Sequence, residues 1–480
     1  MKPVVSIMWF RRDLRLHDNA ALSHALQAAS QSGGAPVLPI FIFDKQILDK
    51  LDDKSDKRVV FIHNALQKMH AQLETLGSGL TVLYSTPQEA FKTLLAQYTV
   101  SHVFTNHDYE PYAVERDAAI EQLLAAQKIG CSTFKDHVVF EKYEVVKDDG
   151  KPYTVFTPYS RKWKAYLANN PVKVFDTKKY SKNYFQYTAP ALPSLVSMGF
   201  TGSAATSFPA GILDVNIVKK YTDNRNFPAI ENSTSKMGVH LRFGTVSVRE
   251  ILLQALPLNE TYVNEIIWRD FYQAIMFHFP KVVTNNFRSK YDGIIWRNDE
   301  AEFEKWCNGE TGYPMVDAGM KQLNATGYMH NRVRMVTAGF LCKHLLIDWR
   351  KGESYFAKKL LDFELSSNNG NWQWAAGTGC DAAPYFRVFN PSEQIKKFDK
   401  AFKYIKTWVL KFGTENYPEP IVEHKMARLR ALETYKTGKK AGQVKAVIAT
   451  RDIAKRVDSN GYYSESQDYE FTTNPNAKQE

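Results

Sequence analysis

Cysteine is scarce in this sequence, and its four residues are dispersed. Cys131, Cys307, Cys342 and Cys380 occur singly in a chain of 480 residues. Their spacing excludes a disulfide framework and the paired spacings of zinc sites, so we predict a reducing compartment and no metal. No apolar run approaches the roughly 18–20 residues of a membrane span, and the apolar start is too short for a signal peptide. We therefore predict an intracellular protein, cytoplasmic in a bacterium or nuclear in a eukaryote, without a membrane partner.

Positive charge and tryptophan are abundant by contrast. The 62 lysines and arginines outnumber the 51 acidic residues, which gives a net charge of +11. This balance is compatible with a polyanionic partner such as nucleic acid, and also with a surface that is merely soluble. The nine tryptophans can fill a core, form a stacking surface or carry an electron path. Their positions in the sequence must distinguish among these three roles.

The first part of the chain alternates apolar runs with helical patterns. The candidate strands are 4–10, 38–43, 80–84, 103–105 and 131–134, and the helical patterns lie at about 18–30, 58–76, 87–97 and 112–127. This alternation predicts a doubly wound parallel sheet with a ligand crevice at the carboxyl ends of its strands. Gly77-Ser78-Gly79 precedes a strand, so we interpret it as a helix stop and not as a phosphate loop.

The rest of the chain divides by composition. Prolines and small polar residues accumulate after the last strand, and helical periodicity then takes over until a polar end. We predict an α/β domain at 1–134, an interdomain linker at 135–215, an all-α domain at 216–447 and a polar tail at 448–480.

Several helical segments carry candidate binding groups. Glu265, Trp268 and Arg269 are three and four residues apart, so they share a helix face that could hold a nucleobase or form an ion pair beside a core ring. Asn331 and Met335 share another face, which is either a mixed pocket wall or an ordinary helix surface. The run LDFELSSNNGNWQW at 361–374 is harder to explain by packing, whereas the hydroxyls and lysine at 233–238 suit either a pyrophosphate or a helix cap.

These segments together resemble the photolyase/cryptochrome family, most closely the class I cyclobutane pyrimidine dimer photolyases. The resemblance runs through WFRRDLRLHDN, TGYPMVDAGMKQL, MHNRVRM, NNGNWQWAAGTGCDAAPYFRVFNP and YPEPIVEHKMAR, and is weakest at about 140–215. It implies an amino-terminal α/β domain, a helical FAD-binding domain, and a monomer that binds UV-damaged DNA. It also implies light-driven electron transfer from reduced FAD that splits the dimers.

The resemblance also assigns residues to the cofactor and to an electron path. Asn368 should face N5 of the flavin, where a neutral amide adds no charge. The other residues implied for FAD are Tyr221, Thr234, Ser235, Lys236, Met237, Gly238, Arg334, Asp362, Phe363 and Glu364. The relay of electrons from the protein surface to the flavin should use Trp372, Trp349 and Trp296.

A further set of residues is implied for the damaged DNA. Glu265, if protonated, and Asn331 should donate hydrogen bonds to the carbonyls of the dimer, while Met335 packs on its apolar edge. Trp268 and Trp374 should sandwich the dimer. The remaining predicted DNA contacts are Arg225, Arg269, Tyr272, Arg332, Arg387 and Gln394.

Two alternatives and one open question remain at this level. Repair of (6-4) photoproducts requires an acid/base histidine where this chain has Met335, and a thioether cannot donate a proton. A cryptochrome photoreceptor is the other alternative. The folate-binding relatives carry an Asn-Glu pair where this chain has Tyr112 and Ala113. A deazaflavin, a flavin or an empty cleft is therefore as compatible with this chain as a folate.

Overall fold

The computed structural model describes residues 1–202 and 207–460, with side chains up to residue 443. Its amino-terminal domain contains a five-stranded, all-parallel sheet with the strand order β3-β2-β1-β4-β5. The strands are β1 (Val4–Phe10), β2 (Val37–Asp44), β3 (Thr81–Ser85), β4 (Thr99–Asn106) and β5 (Gly130–Phe134). The predicted fold class is confirmed, and all five predicted strands are present.

Helices cover both faces of this sheet and are apolar towards it. They are α1 (Ala20–Ala29), α2 (Lys45–Leu48), α3 (Lys57–Glu74), α4 (Pro87–Gln97) and α5 (Pro111–Ala126). A capping box of Thr86 and Glu89 opens α4. Gly77 follows α3 with a φ of 74°, a left-handed conformation that glycine adopts without strain. The predicted helix stop is therefore present.

The segment predicted as a linker is more structured than its composition indicates. Helix α6 (Phe156–Asn169) lies within it, followed by 3-10 turns at Lys178–Asn183 and Val196–Met198. Val139 and Trp163 belong to the same buried core as residues of the helical domain. The helix escaped prediction because its buried face is aromatic and its first residue lacks a side-chain cap.

The second domain is helical throughout, as predicted. Its helices are α7 (Val215–Lys219), α8 (Tyr221–Asn224), α9 (Gly238–Phe243), α10 (Val248–Ala255), α11 (Glu260–His278), α12 (Glu300–Asn308), α13 (Pro314–Thr326), α14 (Asn331–Gly339), α15 (Trp349–Lys359), α16 (Leu365–Ala376), α17 (Pro391–Phe398), α18 (Lys403–Trp408) and α19 (His424–Asn460), with a π-helical turn at Phe340–His344. Helix α19 continues past residue 447, where we predicted the polar tail to begin. The remainder of that predicted tail, 461–480, lies outside the described residues.

A buried ion network joins the two domains. Arg249 of α10 binds Asp18 at 3.0 Å and Asp136 at 2.8 Å, and Arg15 binds Asp136 at 2.8 Å. All four side chains are almost fully buried, so the network fixes how the sheet and the helical domain meet. Within the described ranges, no helix combines the length and apolar character that a membrane crossing needs.

Candidate active site

The helical domain contains a cavity of about 100 Å³ that is open to solvent. Its walls come from α14, α15, α16 and the connection between the last two helices. The side chains on these walls are Asn331, Arg334, Met335, Ala338, Phe356, Leu360, Asp362, Phe363, Glu364, Ser367, Asn368, Asn371, Trp372, Trp374 and Ala375. Residues from two separate motifs of the sequence, at 329–335 and 361–374, thus meet around one space.

An ion pair forms one end of this cavity. Arg334 Nη2 lies 2.9 and 3.1 Å from the two carboxylate oxygens of Asp362, and Arg334 Nε donates to the Met329 carbonyl at 2.7 Å. A Cβ atom added to Gly238 would lie 2.8 Å from Asp362 Oδ2. Glycine is therefore required there, because it lets the start of α9 approach the ion pair closely.

The residues predicted to hold phosphates lie on this same side. Thr234 and Tyr328 share a hydroxyl hydrogen bond of 2.9 Å, and Ser235 shares one of 2.9 Å with Tyr262. The ammonium of Lys236 lies 5.6 Å from the centre of the Tyr328 ring. Hydroxyl groups and one cation thus surround the approach to Gly238, while Met237 and Tyr221 are buried.

Asn368 is held in one orientation. Its Nδ2 donates to Glu353 Oε1 at 2.9 Å and to the Glu353 carbonyl at 3.1 Å. The amide oxygen is therefore the atom of Asn368 that remains to face a ligand as an acceptor. Burial raises the pKa of Glu353, although its hydrogen bond from Asn368 opposes the rise. Nothing in the sequence pattern singled out Glu353.

Glu364 joins the cavity to the amino-terminal domain. It accepts hydrogen bonds from Arg12 and, at 2.8 Å, from Arg269. Burial alone would raise the pKa of Glu364, but Arg269, Arg12 and Arg242 outweigh it and lower the pKa to about 2. The carboxylate is thus charged and locked in place.

The position of Arg269 corrects the sequence interpretation. Besides Glu364, its guanidinium donates to the carbonyls of His137 and Leu241. These three partners use the hydrogen-bond donors of the Arg269 guanidinium and hold it between the domains. Arg269 therefore does not join Glu265 and Trp268 in a common binding group, although the three share a face by helical spacing.

Glu265 and Trp268 of α11 lie outside the cavity walls. Glu265 forms an ion pair with Arg225, and both side chains remain about one-third exposed, at 33% and 27%. Burial raises the pKa of Glu265, opposed by Arg225 and by a hydrogen bond from Tyr221. Trp268 stacks on Phe156, which no motif had indicated.

Tyr272 connects this part of α11 to the cavity. Its hydroxyl lies 3.4 Å from Oδ1 of Asn371, a cavity residue. The ring of Tyr272 also fills the space where Gly370 would carry a Cβ. Asn371 was missed as a candidate, but its spacing of three residues from Asn368 on one helix face was an available signal.

The cavity wall at α14 carries no histidine among the described residues. Asn331 and Met335 line it as predicted. His330 instead caps α14 by accepting from the backbone N–H of Arg332 at 3.2 Å, and burial lowers its pKa to about 4. His344 is buried against His424, with 2.9 Å between ring nitrogens.

Three predicted DNA contacts lie beyond the cavity walls. Arg332 Nη2 donates to Asn226 at 2.6 Å, and its guanidinium lies 4.5 Å from the centre of the Phe398 ring. Arg387 is exposed, and its carbonyl accepts from the buried Lys343 at 2.9 Å. Gln394 is half-buried on α17.

The three tryptophans predicted to form the relay are associated with one core. Trp372 lines the cavity, and its ring packs against Gly352 of α15. Trp349 is fully buried in the same core and donates from Nε1 to Asn286 at 2.8 Å. Trp296 packs on this core while remaining partly exposed. They thus range from the cavity wall, through the buried core, to a partly exposed position.

A second cavity, of about 200 Å³, lies at the carboxyl ends of the strands. Trp9, Phe43, Tyr112, Ala113 and Arg116 are among its lining residues. Tyr112 and Ala113, the two positions that distinguish this chain from the folate-binding pattern, therefore both line this cavity. Among the described residues, no group of three metal-ligating side chains comes together.

The chain thus combines an α/β domain with a helical domain that contains an ion-paired, tryptophan-lined cavity. The family model for DNA photolyase matches residues 6–177, and the model for the FAD binding domain of DNA photolyase matches residues 262–412. The chain belongs to the DNA photolyase family. The family, the enzyme class and the FAD cofactor predicted from the sequence are confirmed.

Relatives and solved structures cover nearly the whole chain. A deoxyribodipyrimidine photo-lyase of Halobacterium salinarum is 33% identical over 90% of this chain and 98% of its own length. A class III photolyase from Agrobacterium tumefaciens has a TM-score of 0.79 at 31% identity, covering 92% of this chain and 98% of that one. An archaeal photolyase from Sulfolobus tokodaii, solved with two FAD molecules, has a TM-score of 0.76 at 33% identity, covering 90% and 99%.

Proposed function

We propose that this protein uses light to split cyclobutane pyrimidine dimers in UV-damaged DNA, acting as a monomer. The observation that carries the proposal is the meeting of Asn331, Met335, Asn368 and Trp374 around one cavity in a chain of the DNA photolyase family. The name deoxyribodipyrimidine photo-lyase, shared by its relatives, supports this choice of lesion.

The cavity residues fit FAD. The Arg334–Asp362 pair, the close approach of Gly238 and the hydroxyls of Thr234 and Ser235 offer charged and polar groups at one end. At the other end the amide oxygen of Asn368 is free to accept a hydrogen bond. When bound, FAD supplies the light-absorbing electron donor, while the protein binds it, orients it and excludes water.

The substrate side of the site is assigned by chemistry. The dimer carbonyls gain negative charge when the dimer takes up an electron, so donors already in place stabilise them. Asn331 offers its amide N–H groups, and Glu265 would donate in its protonated form, which burial favours and Arg225 opposes. Met335 packs on the saturated edge. A dimer is poorly stacked, which lowers the cost of moving it out of the helix.

The second cavity supports a further proposal. Its aromatic residues Trp9, Phe43 and Tyr112, with Arg116 beside them, suit a flat chromophore that carries negative charge. A photolyase of this fold was solved with two FAD molecules. We therefore expect a flavin or deazaflavin there. Extraction of the purified protein, followed by mass spectrometry, tests this expectation.

The deciding experiment combines a spectrum with a repair assay. Purified protein should show flavin absorption and should restore dimer-containing oligonucleotides under blue light but not in the dark. A flavin-loaded, fully reduced protein that binds the dimer yet leaves it intact under light would contradict the proposal, and would point to a photoreceptor instead.

A further inference from the structure

An aromatic residue from outside the helical bundle covers one face of Trp268. The ring centre of Phe156, the first residue of α6, lies 3.7 Å from that of Trp268, and the two planes differ by only 2°. Phe271 meets the indole edge-on at 5.6 Å and 81°. A flat ligand that stacks on Trp268 must therefore use the opposite face.

Several contacts hold Phe156 in place. Its backbone N–H donates to Asp381 Oδ2 at 2.9 Å, and its ring meets the fully buried Phe271 edge-on at 6.0 Å. Further along α6, Trp163 donates from Nε1 to the buried Asp270 at 3.0 Å. The ring is half-buried and packs against the core of the helical domain. It is therefore not a movable cover over an empty face.

We infer that Phe156 is a positioning residue for the substrate, which fixes the indole plane of Trp268 as one wall of the dimer site. The inference rests on the proposed function and on the stacking of Trp268 on the dimer that the family resemblance predicts. An indole already held parallel to a second ring loses little rotational freedom when a pyrimidine stacks on it. Helix α6, in the segment predicted as a linker, is thereby a part of the substrate site.

The anchor of Phe156 also belongs to the substrate side. Asp381 lies in the connection between α16 and α17, which carries the exposed Arg387. One connection thus holds the first turn of α6 and presents a cation predicted to grip DNA.

The test compares a variant that removes the aromatic ring of Phe156 with a variant that keeps an aromatic ring at this position. Phe156→Leu should raise the KM for a dimer-containing oligonucleotide, and its Kd measured in the dark, by roughly three- to tenfold. The kcat at saturating dimer should stay within about twofold, with FAD content unchanged. Phe156→Tyr retains the stack and should restore the wild-type KM. Phe279→Leu, in the same core but stacked edge-on against Phe287, is the matched control and should bind as wild type.

A double variant separates positioning from general packing. Because Phe156 acts through Trp268, Phe156→Leu should weaken binding no further in a Trp268→Leu background. Independent, additive losses, or an unchanged KM and Kd in Phe156→Leu, would overturn the inference. The dark-binding comparison tests it even if the wild type fails to repair, an outcome that would instead remove the proposed function.

Discussion

The orientation and the pKa of individual side chains in this site depend on their neighbouring residues. Glu353 fixes the amide of Asn368, and burial moves the pKa of Glu265 upward although Arg225 is beside it. For Arg269 the surroundings remove a predicted role. Helical spacing places it on the same face as Glu265 and Trp268, but its guanidinium binds Glu364 between the domains.

The protonated form of Glu265 should contribute to repair. Because the folded pKa is raised, the proton is present below that pKa and is lost as pH rises through it. We expect Glu265→Ala to keep FAD but to lower repair yield and dimer affinity, each by about tenfold. Glu265→Gln should keep a neutral donor and lose the decline at high pH. An unchanged quantum yield in Glu265→Ala would remove this residue from the mechanism.

Lesion choice should depend on the residues around Met335. Its thioether cannot donate a proton, while His330 and His344 are engaged elsewhere. We expect light-dependent repair of cyclobutane dimers and none of (6-4) products, with Met335→His insufficient to change this, because a single histidine brings no second acid/base group. Chromatography of irradiated oligonucleotides measures both lesions, and (6-4) repair by the unmodified protein would overturn the assignment.

At the scale of elements, helices α15 and α16 bring Trp349 and Trp372, two of the tryptophans predicted for the relay, into one core beside the cavity. Gly352 on α15 lets the ring of Trp372 approach so closely that any side chain there would clash. This contact joins the helix that begins with Trp349 to the helix that carries Asn368 and Trp374. Two of the three tryptophans predicted for the relay, Trp349 and Trp372, thus lie on this helix pair.

The relay should prepare the cofactor without taking part in repair. Trp372→Phe should therefore block light-driven reduction of oxidised FAD, because phenylalanine is far harder to oxidise than tryptophan. Protein reduced chemically beforehand should still repair dimers at close to the wild-type rate. Absorption spectra under illumination measure the first effect, and failure of the prereduced variant would show that the two paths are not separate.

For the whole molecule, buried ion networks join the domains and make stability depend on pH. Burial raises the pKa of Asp136, but Arg15 and Arg249 outweigh it and lower the pKa to about 2. A lowered folded pKa contributes stability above the ordinary value near 4, and this is lost as pH falls through about 2.

The pH dependence has a direct test. Wild-type stability should fall by about 2 kcal/mol between pH 4 and 2 from Asp136 alone. Asp136→Asn should be destabilised by roughly 3 kcal/mol or more at neutral pH, since buried Arg15 loses its carboxylate partner and buried Arg249 loses one of two. It should also show a shallower acid slope. Asp148→Asn, in an exposed ion pair, is the control. Equal acid slopes for Asp136→Asn and wild type in denaturant titrations would contradict the assignment.

The net charge of +11 also has a consequence for the whole molecule. Binding to undamaged duplex should weaken steeply with salt, because arginine and lysine contact phosphates. Binding to a dimer should keep a larger salt-resistant part, since stacking on Trp268 and Trp374 does not release counterions. Fluorescence titrations at several salt concentrations measure both slopes, and identical slopes without damage preference would argue against a repair enzyme.

The sequence by itself determined the sheet, the helical domain and the family. Strand and helix periods are local properties, and motifs such as NNGNWQW specify the cavity residues directly. Only the tertiary structure decided where Arg269 points, what orients Asn368 and that Phe156 backs Trp268. These contacts join residues more than 10 positions apart, so helical spacing carries no information about them. Helix α6 could likewise not be predicted from composition, because packing on α11 stabilises it more than the intrinsic helix propensity of its residues does.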